Sequence, residues 1–217
     1  MLTVLGVYIG LCMVSDDARQ GGIYRIVFVH VPATWMSVLV FVLMAFWSGV
    51  GMISRARLPA MMAQALAPTG AMFAFMALWT GSLWGKPVWG TWWIWDVRLI
   101  AELVLLLVYL AIIAIHMSAD EARRADRIAG IVALLGAAVV AVNLVSVAFW
   151  PRIPQYPSPS MTGSSGTALT VVTGLLAMAA GFWMYGTAVV LARLRCVILE
   201  RERHSDWVTR CTGEDYA

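Results

Sequence analysis

Between Arg25 and Arg55, and again between Arg57 and Lys86, the chain carries no Asp, Glu, Lys or Arg. Runs of that length cross a bilayer as helices, because about 20 residues at 1.5 Å each span roughly 30 Å of hydrocarbon. Such runs predict spans near 26–53, 61–83, 97–117, 128–150 and 168–192. Residues 1–14 are also apolar but reach only about 21 Å at that rise, which predicts a short first span. No Lys or Arg precedes this run and no A-x-A site follows it, so it does not read as a signal peptide. Charged residues are 12% of the chain, apolar residues 61%, and mean hydropathy is +0.81. A soluble domain carries about a quarter charged residues. The fold class expected is therefore an all-α membrane protein with six transmembrane helices, the first one short.

Lys and Arg set the expected orientation. Arg55, Arg57, Arg123, Arg124, Arg127, Arg193, Arg195, Arg201, Arg203 and Arg210 follow the even-numbered spans. Only Arg19, Arg25, Lys86, Arg98 and Arg152 fall on the other side. Both termini are expected in the cytoplasm, with residues 15–25, 84–96 and 151–167 facing outward. Residues 1–195 read as the membrane domain and 196–217 as a basic cytoplasmic tail. A net charge of +3 is too small to imply nucleic acid. Cys12, Cys196 and Cys211 lie far apart, which supports neither a disulfide framework, a zinc ribbon nor covalent c-type haem attachment.

The outer segments differ in texture. Residues 151–167 (PRIPQYPSPSMTGSSGT) are an irregular Pro/Ser/Gly loop. Residues 84–96 (WGKPVWGTWWIWD) hold five of the eleven tryptophans: Trp84, Trp89, Trp92, Trp93 and Trp95. An interfacial aromatic belt accounts for Trp35, Trp47, Trp79, Trp150 and Trp183, which stand singly. Anchoring one loop does not need five indoles. Gly85 and Gly90 admit close approach of the backbone and Pro87 stiffens the turn. The cluster reads as a platform for a large, flat, apolar ligand.

Charged residues and one imidazole flank this platform. Asp96, Arg98 and Glu102 open the fourth span, and charge at membrane depth is costly and usually functional. Arg98 and Glu102 are four apart on one helix face and are equally able to neutralise each other. Arg25, at the start of the second span, has no acidic residue near it in sequence and suits an anionic ligand edge. His30 lies about one turn into that span, where imidazole ligates iron, carries protons or bonds a carbonyl. A flat cradle, an arginine for carboxylates and an imidazole for a metal together match haem. His116 and His204 fall at the opposite side and are read as outside the site.

WGTWWIWD (89–96) resembles the tryptophan-rich WGxxWxWD signature of the haem-handling proteins of cytochrome c maturation. GSLWGKPVWGTWWIWDVRL with AELVLLLVYL, YRIVFVHVPA (24–33) and LAPTGAMFAFMAL are similar to three blocks of the CcmC family. CcmF and CcsA usually continue after the WD with proline, where Val97 and Arg98 stand here. The likeness covers about residues 20 to 195. It implies a six-helix protein of the bacterial inner membrane that binds haem b non-covalently at the outer face. The implied partners are the transporter CcmA/CcmB, the small subunit CcmD and the haem chaperone CcmE. By position, His30 matches the first axial histidine and Arg25 and Arg98 the family's arginines. Trp84, Trp89, Gly90, Trp92, Trp93, Trp95 and Asp96 fall in the haem-contacting segment, and Ser146 matches a serine of the fifth span.

The family's second axial histidine follows an aromatic pair resembling Phe149-Trp150. Here Pro154 stands near its place, and no histidine other than His30 is on the expected outer side. Met161 and Tyr156 are of types able to ligate haem iron. The leading expectation is a haem-presenting transport subunit without catalytic side chains, since haem carries the chemistry. Two other classes remain open at this stage. One is a non-haem structural or docking subunit of the same complex; the other is a proton- or quinone-handling subunit using His30, Arg98 and Glu102.

Overall fold

In the computed structural model the chain is described at residues 1–14, 21–54, 56–149, 165–203, 205, 207 and 208, except for the side chains of 11, 146–149 and 165–168. These residues are helical apart from their connections. Helix α1 (Leu2–Tyr8) runs into a π-helical turn (Ile9–Met13), and a 3-10 turn (Gly22–Ile26) opens α2 (Val27–Ser54). There follow α3 (Arg57–Trp89), α4 (Val97–Ser118), α5 (Ala122–Phe149) and α6 (Ser165–Arg201). Among the described residues five stretches are long and apolar enough to cross a membrane: Gly22–Ser54, Arg57–Trp89, Val97–Ser118, Ala122–Val145 and Leu169–Arg201. The sixth helix, α1, has only 7 residues, as the short opening run implied. The protein is a multi-pass, all-α membrane protein.

Two helix ends fall beyond their expected places. Helix α3 continues past residue 83 to Trp89, through Gly85 and Pro87. Membrane helices tolerate both residues, because neighbouring groups satisfy the freed backbone atoms. The tryptophan segment is consequently half helix and half loop. Helix α6 likewise runs unbroken across residues 192–196 to Arg201. Polar partners hold that end: Arg201 donates two hydrogen bonds of 2.8 Å to the Asp126 carboxylate and a third to Gln64. The same carboxylate lies 3.3 Å from His116 Nε2. Arg201 and Asp126, with His116, thus tie together the ends of α3, α4, α5 and α6 that lie away from the tryptophans.

Helices α2 and α4 stand diagonally, with α3 and α5 each packed against both, while α6 covers α2 and α3 and carries α1. Phe41, Met44, Phe73, Leu105 and Tyr109 fill the centre and are fully buried. Tyr109 meets Phe41 edge-to-face at 5.2 Å and points its hydroxyl at the Ser37 carbonyl, 2.8 Å away. Gly70 makes this possible, since a Cβ there would lie 2.1 Å from the Tyr109 ring. A small residue lets the aromatic ring reach the backbone of the facing helix.

Candidate functional site

The site grows from the last four turns of α3. Four of its residues, Ala77, Thr80, Gly81 and Trp84, share one helix face at spacings of three and four. They form a socket for His30 of α2. His30 Nδ1 lies 3.0 Å from the Ala77 carbonyl and 3.2 Å from Thr80 Oγ1. Thr80 gives its only hydroxyl proton to the Met76 carbonyl at 2.7 Å, so it accepts from the imidazole. Nδ1 therefore carries the proton, and Nε2 holds the lone pair available to a metal. The ring edge abuts Gly81, where a Cβ would come within 3.0 Å of Cε1. Trp84 closes the socket edge-on, with ring centroids 5.8 Å apart.

Beyond Trp84 the chain turns into the loop. Gly85 is buried against the Trp89 indole, and a Cβ there would lie 2.8 Å from that ring. Gly90 ends the helix with φ +76°, a left-handed conformation that only glycine adopts freely. Three side chains brace the loop around this glycine. Ser82 donates to the Trp92 carbonyl at 2.8 Å, Lys86 to the Gly90 carbonyl at 3.1 Å, and Thr91 to the Trp93 carbonyl at 3.1 Å. The Lys86 ammonium also sits 5.7 Å over the Trp92 ring, a cation–π distance.

On this frame the five indoles divide their work. Trp84 and Trp93 are half-buried; the first holds His30 and the second props Trp95 edge-on at 5.9 Å. Trp89, Trp92 and Trp95 are exposed at 38%, 54% and 82%. Those three have the most exposed rings of the five. Sequence reasoning treated all five alike and missed Thr80, Gly81, Ser82, Lys86 and Thr91. For Thr80 and Gly81 the available signal was their spacing of four and three from Trp84 on one helix.

Asp96 caps α4 by accepting from the Arg98 backbone N–H, and the same oxygen takes the Arg98 Nε–H, both at 3.0 Å. Arg98 thus pairs with Asp96 and not with Glu102. Its Nη2 is buried without a partner among the described residues, and a buried guanidinium N–H is costly to leave unmet. Arg25 sits in the 3-10 turn before α2 and donates to the Val14 carbonyl at 3.4 Å. Ser146 lies within α5, its side chain outside the described residues, as are Pro154, Tyr156 and Met161.

Among the described residues no group of three or more His, Cys, Asp or Glu stands together to hold a metal ion. A metal inside a macrocycle needs less from the protein: one axial nitrogen, apolar faces and cations for its acidic edge. His30 Nε2, the exposed indoles and Arg98 Nη2 are of those three kinds.

Residues 1–209 match the family described as CcmC, heme exporter protein C. The chain belongs to the CcmC family. A heme exporter protein C of Escherichia coli (strain K12) is 38% identical over 200 residues, which is 92% of this chain and 80% of that protein. One from Bradyrhizobium diazoefficiens is 38% identical over 206 residues, 94% and 78% of the two chains. A Haemophilus influenzae relative of the same name is 33% identical over 209 residues, 95% and 85%. Membership of the family fits the resemblance carried by the tryptophan segment.

Proposed function

We propose that this chain binds haem b non-covalently at the outer face of a bacterial inner membrane and presents it to a periplasmic chaperone of the CcmE kind. The observation that carries this reading is the joining of an imidazole to an aromatic platform: Trp84 holds His30 on the helix that ends at Trp89 and leads into the braced loop bearing Trp92 and Trp95. His30 supplies an axial nitrogen and the indoles cover the macrocycle. Arg98, with Arg25, meets the propionates. Ser146 belongs to the same site by its match to the family. Haem is the cargo, and its iron and ring supply the redox and ligand chemistry. Residues 1–195 form the haem-handling domain, and residues 196–217 form a cytoplasmic tail. The relatives' name, heme exporter protein C, supports a transport subunit working with a CcmA/CcmB transporter and a CcmD-type subunit, and the arginine distribution supports a cytoplasmic position for both termini.

The absorption spectrum of the purified protein, before and after supplementation with haem, tests this. A Soret band is the expected result. Its absence after supplementation would favour a docking subunit without haem, a reading to which Pro154, near the place of the second axial histidine, gives its support.

A further inference from the structure

Glu102 is left unused by the site just described. It is a carboxyl at membrane depth, 6% exposed, and at that depth such a group is expensive to keep. Its Oε1 accepts from the Ser37 hydroxyl at 2.6 Å. Two turns further along α4, the Tyr109 hydroxyl donates to the Ser37 carbonyl at 2.8 Å. Both Ser37 and Tyr109 are fully buried. Because α2 and α4 stand diagonally in the bundle, only long side chains cross between them. Two such side chains of α4, seven residues apart and so on one face, grip a single residue of α2 by its side chain and its main chain.

That grip acts along the helix axes. Ser37 lies seven residues, two turns, below His30 on α2. Glu102 lies six residues below Asp96, where the tryptophan loop joins α4. We infer that Glu102, through Ser37, is a positioning residue that sets the height of His30 relative to the tryptophan loop. The inference rests on the haem-binding reading above. Mere support of the fold is a different role with a different signature. Ser37 also lies within 2.9 Å of the Thr34 carbonyl, so removal of Glu102 leaves its hydroxyl with an acceptor. Replacing a buried polar group by leucine is then close to neutral for stability.

The test compares Glu102→Leu, Glu102→Gln and Ser37→Ala in the full-length protein. Spin labels at Trp35→Cys on α2 and Ile100→Cys on α4, with Cys12, Cys196 and Cys211 replaced, report the height of one helix against the other. Glu102→Leu and Ser37→Ala are expected to broaden that distance distribution, to lower retained haem at least fivefold and to shift the Soret band toward that of haem without a histidine ligand. Glu102→Gln, which keeps the bond to Ser37, is expected within twofold of the wild type with its spectrum. An unchanged distance distribution in both disrupting variants overturns the inference. So does a broadened distribution with wild-type haem content and spectrum. If the wild type itself binds no haem, the haem-binding reading fails and this inference with it, while the spin-label distances still show whether the Ser37–Glu102 pin sets helix height. Should Glu102→Leu fail to accumulate, Ser37→Ala decides, since it deletes the same bond.

Discussion

The imidazole of His30 and the indole of Trp84 meet edge-to-face at 5.8 Å, their planes 71° apart. This contact joins the metal-ligand candidate of α2 to the helix that carries the tryptophan loop. On the proposed haem-binding reading, His30 is the histidine on which haem retention depends. His30→Ala is expected to remove most bound haem, while His116→Ala and His204→Ala keep it. The haem content of the purified variants, by absorbance, checks this. Added imidazole is expected to shift the wild-type spectrum by occupying a vacant or weakly held sixth position. A bis-imidazole spectrum without added imidazole would mean that a partner chain provides the second ligand.

The exposed indoles give a second prediction. Replacing Trp89 and Trp95 together with Leu preserves apolar character and membrane insertion but removes the flat faces. An aromatic pair contributes about 0.5–1.5 kcal/mol beyond its buried area. Haem retention in the double variant is expected to fall several-fold at normal expression. Unchanged haem in that variant would return both residues to the role of interfacial anchors.

The arginine distribution gives a third. Thr91→Cys in the tryptophan loop is expected to react with a membrane-impermeant maleimide in intact cells with a permeable outer envelope. Asp120→Cys, in the connection between α4 and α5, is expected to react only after lysis. The two positions lie at opposite ends of α4, about 33 Å apart along a helix of 1.5 Å rise per residue. Labelling of Asp120→Cys in intact cells would reverse the orientation and place the site on the cytoplasmic side.

Much of this site was legible in the sequence, and the reason is chemical rarity. Five tryptophans in one segment and a single histidine near the expected outer boundary stand out against an apolar background. The socket around His30 was not legible, because Ala77, Thr80 and Gly81 are ordinary residues that acquire their role only when α3 packs on α2. The Arg98 pairing shows the limit of local spacing. Glu102 at i+4 and Asp96 at i−2 were both within reach, and Asp96 takes the guanidinium because one carboxylate oxygen there also caps the helix. Glu102 turns instead to Ser37, 65 positions away in the chain, a partner that no periodicity reveals. The helix ends moved for the same kind of reason. Gly85 reads in sequence as allowing close approach of the backbone and Pro87 as stiffening a turn, whereas both lie within α3 and Gly85 is room for the Trp89 ring.

Gly70 gives the last prediction, one of stability alone. A Cβ on Gly70 would lie 2.1–2.3 Å from Cζ, Cε1 and Oη of Tyr109, far inside contact distance. The ring has nowhere to withdraw, for Phe41 packs against it at 5.2 Å and its hydroxyl is bonded to the Ser37 carbonyl. Gly70→Ala must therefore overpack the core, at about 1–3 kcal/mol, and strain a buried hydrogen bond that contributes about 0.5–1.5 kcal/mol. At about 2–4 °C per kcal/mol for a chain of this size, the apparent melting temperature in detergent is expected to fall by roughly 5–15 °C. Gly49→Ala is the matched control. Its Cβ would meet only Leu134 Cδ2, at 3.7 Å, and alanine favours the helix over glycine by about 1 kcal/mol. It is expected to hold or raise the melting temperature. Equal behaviour of the two variants would show that Tyr109 yields freely, and that Gly70 is not what brings α4 against α3.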